Sequence, residues 1–300
     1  MPETLVRFSA RDRQNVKMPH CSRRVRLCAT YVSLMFVQIV STIELSGRIL
    51  AVIYPGLHFP AVLRPEIAGR ILPAFLLTLI FALIAFRLRS VTAGGAIAGS
   101  IVSLAIYIGS GPAGFAALAT VFLLTAVATR LGSTRKQKLG AAENKKGRRA
   151  AQVLANLAVA GALAILGGVF DLGAWIMTAM VAALAEAAAD TVSSECGQAW
   201  SDRVYMITSF RRVAVGTDGG ISLPGTLAGA CSGALVAVVC YRTHLLPFHS
   251  AVSAGTAGVL GMLVDSILGA TFERRRWFGN NVVNFLSTLA AAALAVILLP

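Results

Sequence analysis

Eight long, uncharged and predominantly apolar stretches follow one another through this chain. They run from Ile71 to Phe86, Val91 to Gly109, Pro112 to Thr129, Ala150 to Phe170, Leu172 to Ala185, Leu223 to Tyr241, Ser250 to Val264 and Val282 to Pro300. Each approaches the roughly 20 residues that carry a helix across a bilayer. A weaker ninth candidate, Leu27 to about Ile53, is interrupted by Glu44 and Arg48; it is read as a span in preference to an interfacial amphipathic anchor. With 56% hydrophobic and 13% charged residues and a mean hydropathy of +0.74, the composition departs from that of a soluble domain in the same direction. The expected fold is all-α, a polytopic helical membrane bundle of about eight to nine transmembrane helices.

Charge gives this bundle an orientation. Nine helices with a cytoplasmic N-terminus place 23 of the 27 Lys and Arg residues in inside segments, seven of them within residues 1–26 and eight between Arg130 and Arg149. This is the positive-inside pattern, and it accounts for the net charge of +14 without nucleic-acid binding. The basic start lacks a small-residue cleavage site after a compact apolar core, so a signal anchor is expected in place of a cleaved signal peptide. The expected organisation is a basic cytoplasmic segment, 1–26, a first membrane-associated segment and loop, 27–65, and a polytopic membrane domain, 66–300. The setting is the cell membrane, with the active face cytoplasmic.

Five scattered cysteines, Cys21, Cys28, Cys196, Cys231 and Cys240, form no C-x-x-C pair and suggest neither a disulfide framework nor a zinc site. Three segments begin alike: "VTAGGAIAGS", "ISLPGTLAGA" and "VSAGTAGVLG". Gly95 with Gly99, and Gly225 with Gly229, give small-residue faces for close helix packing; a duplicated unit is the alternative reading.

Polar residues inside a membrane segment are costly and call for a function or an exit to water. The stretch "AALAEAAADTVSSECG" carries Glu186 and Asp190 four residues apart, hence on one helix face, with Ser193, Ser194 and Gly197 continuing it and Glu195 projecting elsewhere. On the expected topology the same end gathers Asp265 and Ser266 in "GMLVDSILGAT", and Asn280, Asn281 and Asn284 in "GNNVVNFLS". It also gathers a basic loop around Glu143, with Asn156 just beyond it, and the glycine-rich "ITSFRRVAVGTDGGISLPGT". Exposed N–H groups in such a loop, ahead of a helix N-terminus, suit an anion. Carboxylates, amides, bases and a glycine-rich turn are together what magnesium-assisted phosphoryl transfer requires. Each also has a plainer explanation: basic loops as topology signals, glycines as turns, the acidic stripe as a helix surfacing into water, the asparagines as helix caps.

Common catalytic motifs do not compete with this reading. The sequence contains no G-x-x-x-x-G-K-[ST], H-E-x-x-H or G-x-S-x-G. "GSGPAG" at Gly109 joins two membrane helices and follows no strand. His244 and His249 fall in a loop on the predicted outer side.

Several of these segments resemble the ordered blocks of one family: "RLGSTRKQKLGAAENKKGRRAAQVLANLAVA", "AADTVSSECG", "ITSFRRVAVGTDGGISLPGTLAG" and "VDSILGAT" followed by "NNVVNFLS". The chain is similar, from about Glu66 to its C-terminus, to the transmembrane protein 19 family, also called domain of unknown function ninety-two. These are integral membrane proteins that include the plastid phytyl-phosphate kinase. The resemblance implies a membrane-embedded transferase that makes a prenyl diphosphate from a prenyl monophosphate with CTP or ATP. Family-like positions include Asn156, Asp190, Glu195, Gly216, Thr217, Gly219, Gly220, Ser222, Gly225, Asp265, Ser266, Asn281 and Asn284. Asp218 departs from the pattern, which has a small polar residue there; the added carboxylate beside a phosphate nest weakens nucleotide binding unless it joins the metal.

The expected site follows. Asp190, Glu195 and Asp265 hold Mg2+, with Asn281 and Asn284 completing the catalytic set. Lys138, Arg148, Arg149, Arg211 and Arg212 bind phosphates. Asn156, Gly216, Thr217, Gly219, Gly220 and Ser222 complete the nucleotide site, Gly219 and Gly220 through their backbone N–H groups. The prenyl tail lies between helices in the lipid bilayer. The acceptor is already an anion, so no strong general base is needed. Two rivals remain: a transporter or flippase for a phosphorylated lipid or small anion, which should carry polar residues through the membrane's depth, and a non-catalytic packing subunit.

Overall fold

The computed structural model describes residues 65–139, 147–170 and 172–299. The basic segment 1–26 and the weaker apolar stretch from Leu27 to Ile53 lie outside the described residues, as do Cys21, Cys28 and Glu143.

Eight helices account for most of the described chain: α1 (Pro65–Arg87), α2 (Ala93–Arg130), α3 (Ser133–Lys138), α4 (Ala150–Phe170), α5 (Ala174–Trp200), α6 (Leu223–Arg242), α7 (Phe248–Leu268) and α8 (Asn280–Ile297). Seven of them are long and apolar enough to cross a membrane, α3 being the exception. α2, at 38 residues, is not one straight rod. Gly111 sits at φ 70° and ψ −164°, a backbone state open chiefly to glycine, and Pro112 follows it at once. The chain doubles back there, so that Arg130 at the far end of α2 donates to Leu88 O, just before its beginning, at 2.9 Å. The two apolar stretches expected on either side of "GSGP" are therefore two legs of one hairpin. At the bend, Arg70 donates to Ile108 O and Gly109 O, groups left without intrahelical partners where the first leg stops.

The bundle is assembled around α5, which packs against α2, α4, α6, α7 and α8. Its residues from Thr178 to Ala189 are all buried, and most are alanine, so neighbouring helices approach its backbone closely. Gly258 and Gly229 show how closely: a Cβ on Gly258 would lie 2.9 Å from Glu186 N, and one on Gly229 would lie 2.7 Å from Ala189 O. The outer shell has the opposite character. On α1, Ile71, Leu72, Phe75, Leu76, Leu79 and Leu83 are 44–56% exposed, which in an integral membrane bundle is the lipid-facing surface.

Between α5 and α6 the expected loop is a small antiparallel sheet. Strand β1 (Val204–Met206) lies between β2 (Arg212–Val213) and β3 (Gly220–Ile221), with Tyr205 opposite both Arg212 and Ile221. After α7 the helix widens into a π-helical turn, Gly269–Glu273, on which the sheet's glycine turn rests. Among the described residues, the segments expected on the inside gather at one end of the bundle. Arg135 pairs with Asp202 at 2.6 Å, Val91 pairs with Arg148 in a parallel bridge, and Arg274 reaches Met206. This is the basic end.

Candidate functional site at the basic end

The acidic stretch of the sequence is a continuation of α5. The helix runs on to Trp200, fifteen residues past the apolar boundary at Ala185, and Glu186 is only 1% exposed. The stripe is therefore not a helix surfacing into water at that position.

Asp190 on α5 and Asp265 on α7 are electrostatic neighbours. Glu186, one turn deeper, is within Coulombic reach of both. Ser287 of α8 donates to Asp265 Oδ2 at 3.1 Å, and its oxygen also lies 3.0 Å from Asn284 O. The one Ser287 hydroxyl proton being so engaged, both Glu186 oxygens are left buried without a hydrogen-bond partner. Gly261 makes room for this group, since a Cβ there would stand 2.7 Å from Glu186 Cγ. Toward the basic end the acidic column continues through Glu273 and Asp218, which interact with one another, Glu273 also with Asp190. Asp218, the departure from the family pattern, thus belongs to this column.

Amides and a base flank the carboxylates. Asn284 donates to Asn156 Oδ1 at 3.2 Å, joining α8 to α4, and Asn156 donates to Gln152 O. Arg148 is in Coulombic contact with Asp190. Its backbone is clamped to the start of α2: its N–H donates to Ser90 O and its carbonyl accepts from Thr92 N, both at 3.0 Å. Gly95 permits this clamp, because a Cβ there would fall 2.3 Å from Arg148 O.

Glu195 takes a different place. Five residues beyond Asp190, it points roughly 140° away around the helix and forms a 2.5 Å ion pair with Lys136 of α3. Lys136 is itself 1% exposed and donates to Ala128 O and Thr129 O. The structure therefore brings Asp190 and Asp265 together with Glu186, and engages Glu195 in anchoring α3.

The glycine-rich turn is more occupied than an open anion nest. Gly220 N–H donates to Thr217 O at 2.9 Å, and Thr217 N–H to Ala214 O. Gly219, at φ +74°, presses on Ala270 of the π-turn, leaving no space for a Cβ. Ser222 caps α6 by accepting from Gly225 N. The Gly220 amide and the Ser222 hydroxyl are thus used within the fold. Gly216, Lys138, Arg149, Arg211, Arg212 and Asn281 are exposed at the same end, with Arg212 donating to Asp202 O. Gly279, without a side-chain bond, begins α8, so no asparagine caps it.

Beside the carboxylates opens a cavity of about 330 Å³. Its mouth carries Arg89, Arg130 and Arg148, with the buried, ion-paired Lys136 in its wall; its depth is lined by Thr78, Phe81, Ser103 and Leu118. Asn156 and Ala187 also line it, and Arg148 links it to Asp190. Sequence reasoning gave Glu186 a place on the Asp190 face but no role, and passed over Ser287, Arg89 and Arg130. The signal for Ser287 was its i+3 spacing from Asn284; the two arginines read only as orientation charges.

Comparison with known proteins agrees with the membrane character. The family model described as integral membrane protein DUF92 matches residues 76–292. An uncharacterised membrane protein of Synechocystis is 30% identical over 200 residues, covering 65% of this chain and 78% of its own. The chloroplastic protein VTE6 of Arabidopsis thaliana is 32% identical over 197 residues, covering 63% of this chain and 59% of its own. An uncharacterised membrane protein of Methanocaldococcus jannaschii is 29% identical over 232 residues, covering 76% of this chain and 94% of its own. No solved structure matches.

Proposed function

This chain belongs to the DUF92 family of integral membrane proteins, which includes phytyl-phosphate kinase, and from that premise we propose that it is a membrane-embedded prenyl-phosphate kinase. In the reaction, an oxygen of the prenyl monophosphate attacks the γ-phosphorus of CTP or ATP. The bond between the γ-phosphorus and the bridging oxygen breaks, and prenyl diphosphate and nucleoside diphosphate leave.

The observation that carries this reading is the adjacency of two unlike environments. An apolar cavity with three arginines, Arg89, Arg130 and Arg148, at its mouth suits an amphiphile with an anionic head, and one of them, Arg148, is in Coulombic contact with Asp190. The head group is held by Arg148 and its basic neighbours, while Lys138, Arg149, Arg211 and Arg212 bind nucleotide phosphates from the exposed side. Gly216 and Thr217 border that side.

Magnesium fits these residues. Among the described residues no three His, Cys, Asp or Glu side chains form a ready-made metal cage, but magnesium does not need one. It keeps several waters, shares phosphate oxygens and takes one or two carboxylates, here Asp190 and Asp265. Glu186, buried behind them with both oxygens unpartnered, is an unmet acceptor that a cation at this point would satisfy. When bound, the ion would neutralise phosphate charge. Asn284, through Asn156, braces α4 against α8 beside it, and Ser287 orients Asp265. The proposed setting is the cell membrane, with the basic end cytoplasmic.

The test is phosphoryl transfer by purified full-length protein in detergent, with magnesium, labelled CTP or ATP, and phytyl, geranylgeranyl and farnesyl monophosphates. Diphosphate formed by wild type and lost in well-folded Asp190→Asn supports the kinase. If folded protein makes no product with any pair but moves prenyl phosphate across a vesicle bilayer, the transport reading replaces it.

A further inference from the structure

α2 carries two glycines on its cavity-facing side, and only one is explained by packing. At Gly95 a side chain would strike Arg148 O. At Gly99 the nearest atom to an added Cβ is Val153 Cγ1, at 3.9 Å, an ordinary contact. A glycine inside a helix is less favourable than alanine, and no close backbone approach offsets that at Gly99. What its missing side chain leaves open is the cavity, which both Gly99 and Val153 line.

The shape of the cavity says what the opening serves. Its α1 wall runs from Leu88 at the mouth to Thr78 at the bottom, ten residues, or about 15 Å at 1.5 Å per residue. The bottom is closed by the Thr78–Ser103 hydrogen bond, 2.8 Å and buried. There both hydroxyls satisfy one another and present little unmet polarity to an apolar guest. Phe81 is held beside them by edge contacts with Phe115 and Phe122. Gly99 stands one helical turn above Ser103, part-way down the cavity.

We propose that this cavity receives the single hydrocarbon chain of an anionic monophosphate lipid, and that Gly99 sets how long a chain is admitted. The proposal rests on the kinase reading for the identity of the head group. The three arginines at the mouth fix which end of the lipid points outward, and the apolar depth takes the chain. A side chain at position 99 would fill the cavity above its floor, leaving room for a short chain and excluding a long one.

The experiment is equilibrium binding of labelled geranylgeranyl and geranyl monophosphates to the purified full-length protein, without nucleotide or magnesium, for wild type, Gly99→Ala, Gly99→Leu and Gly94→Leu. Gly94 lies on the same leg with open space around it, near only Ala150 Cβ at 3.8 Å, and does not line the cavity, so it controls for a leucine added to this helix. Gly99→Leu is expected to weaken the long chain at least about tenfold and the short one by less than about twofold. Gly99→Ala should fall between, and Gly94→Leu should match wild type. Equal loss for both chains in folded Gly99→Ala and Gly99→Leu, or no loss for either, overturns the proposal. So does two-chain phosphatidic acid binding as tightly as geranylgeranyl monophosphate with the same Gly99 dependence. Because no transfer is measured, chain selection at Gly99 without any diphosphate formation would reject the kinase reading and leave this inference standing.

Discussion

Lys136 and Glu195, 59 residues apart, meet in an ion pair that is almost wholly withdrawn from solvent. The pair ties the short helix α3 to α5, and Lys136 in addition closes the open carbonyls at the end of α2. Removing one member of such a pair leaves the other charge buried alone, which costs about 3–5 kcal/mol, whereas replacing both by apolar groups is often neutral. Glu195→Gln and Lys136→Met singly should therefore lower the unfolding temperature in detergent clearly, and the double variant Lys136→Met/Glu195→Leu should recover most of the loss. A double variant as unstable as the sum of the singles would show that the pair does not act as a unit.

Asp190 and Asp265 should behave quite differently from Glu195. If they supply the carboxylates of the transfer site, Asp190→Asn and Asp265→Asn each lower transfer by about 100-fold or more, with little change in unfolding temperature. Lifting like-charge repulsion within the cluster offsets part of the lost contacts. The check is a rate measured beside a melting curve for each variant.

Ser287 touches neither lipid nor nucleotide in this scheme; it holds Asp265 through one hydrogen bond. Ser287→Ala should reduce transfer about 10- to 100-fold, the range typical of residues that orient a ligating group, and should raise the magnesium concentration needed for half-maximal rate. Ser287→Thr, which keeps the hydroxyl, should restore the magnesium dependence. A purely structural role would move the rate without moving that dependence.

Gly95 and Gly99 make a matched pair for a third measurement. Gly95→Ala forces a methyl against Arg148 O, so the clamp at Ser90 and Thr92 must open; overpacking of this kind costs about 1–3 kcal/mol and should weaken head-group binding by displacing Arg148. Gly99→Ala meets no such contact and should leave the unfolding temperature unchanged or raised. Melting curves and binding of the short-chain monophosphate separate the two.

The spans were legible because lipid imposes length and apolarity on each helix, and these are properties of the local sequence. Ala150 to Phe170 reads the same in sequence and structure. The uncharged run ends at Ala185, yet alanine packing around Glu186 keeps the helix buried beyond it, through the face that carries Asp190. The sheet escaped notice because strands of two or three residues carry no periodicity. Partnerships were harder still. Spacing on one helix put Glu186 and Asp190 on a common face, but only the packing of α5 against α7 and α8 reveals Ser287 beside Asp265. Likewise, nothing local tells that Lys136, in a loop read as an orientation signal, reaches Glu195, or that a Thr217 carbonyl already claims the Gly220 amide.

The alanine run of α5 bears on how this protein can change over generations. Where a helix is nearly stripped of side chains and its neighbours rest on its backbone, each added methylene displaces a whole helix and the acids that ride on it. Novelty in such a chain has its room at the periphery, along the lipid-facing flank of α1 and the walls of the cavity, while the axis stays small.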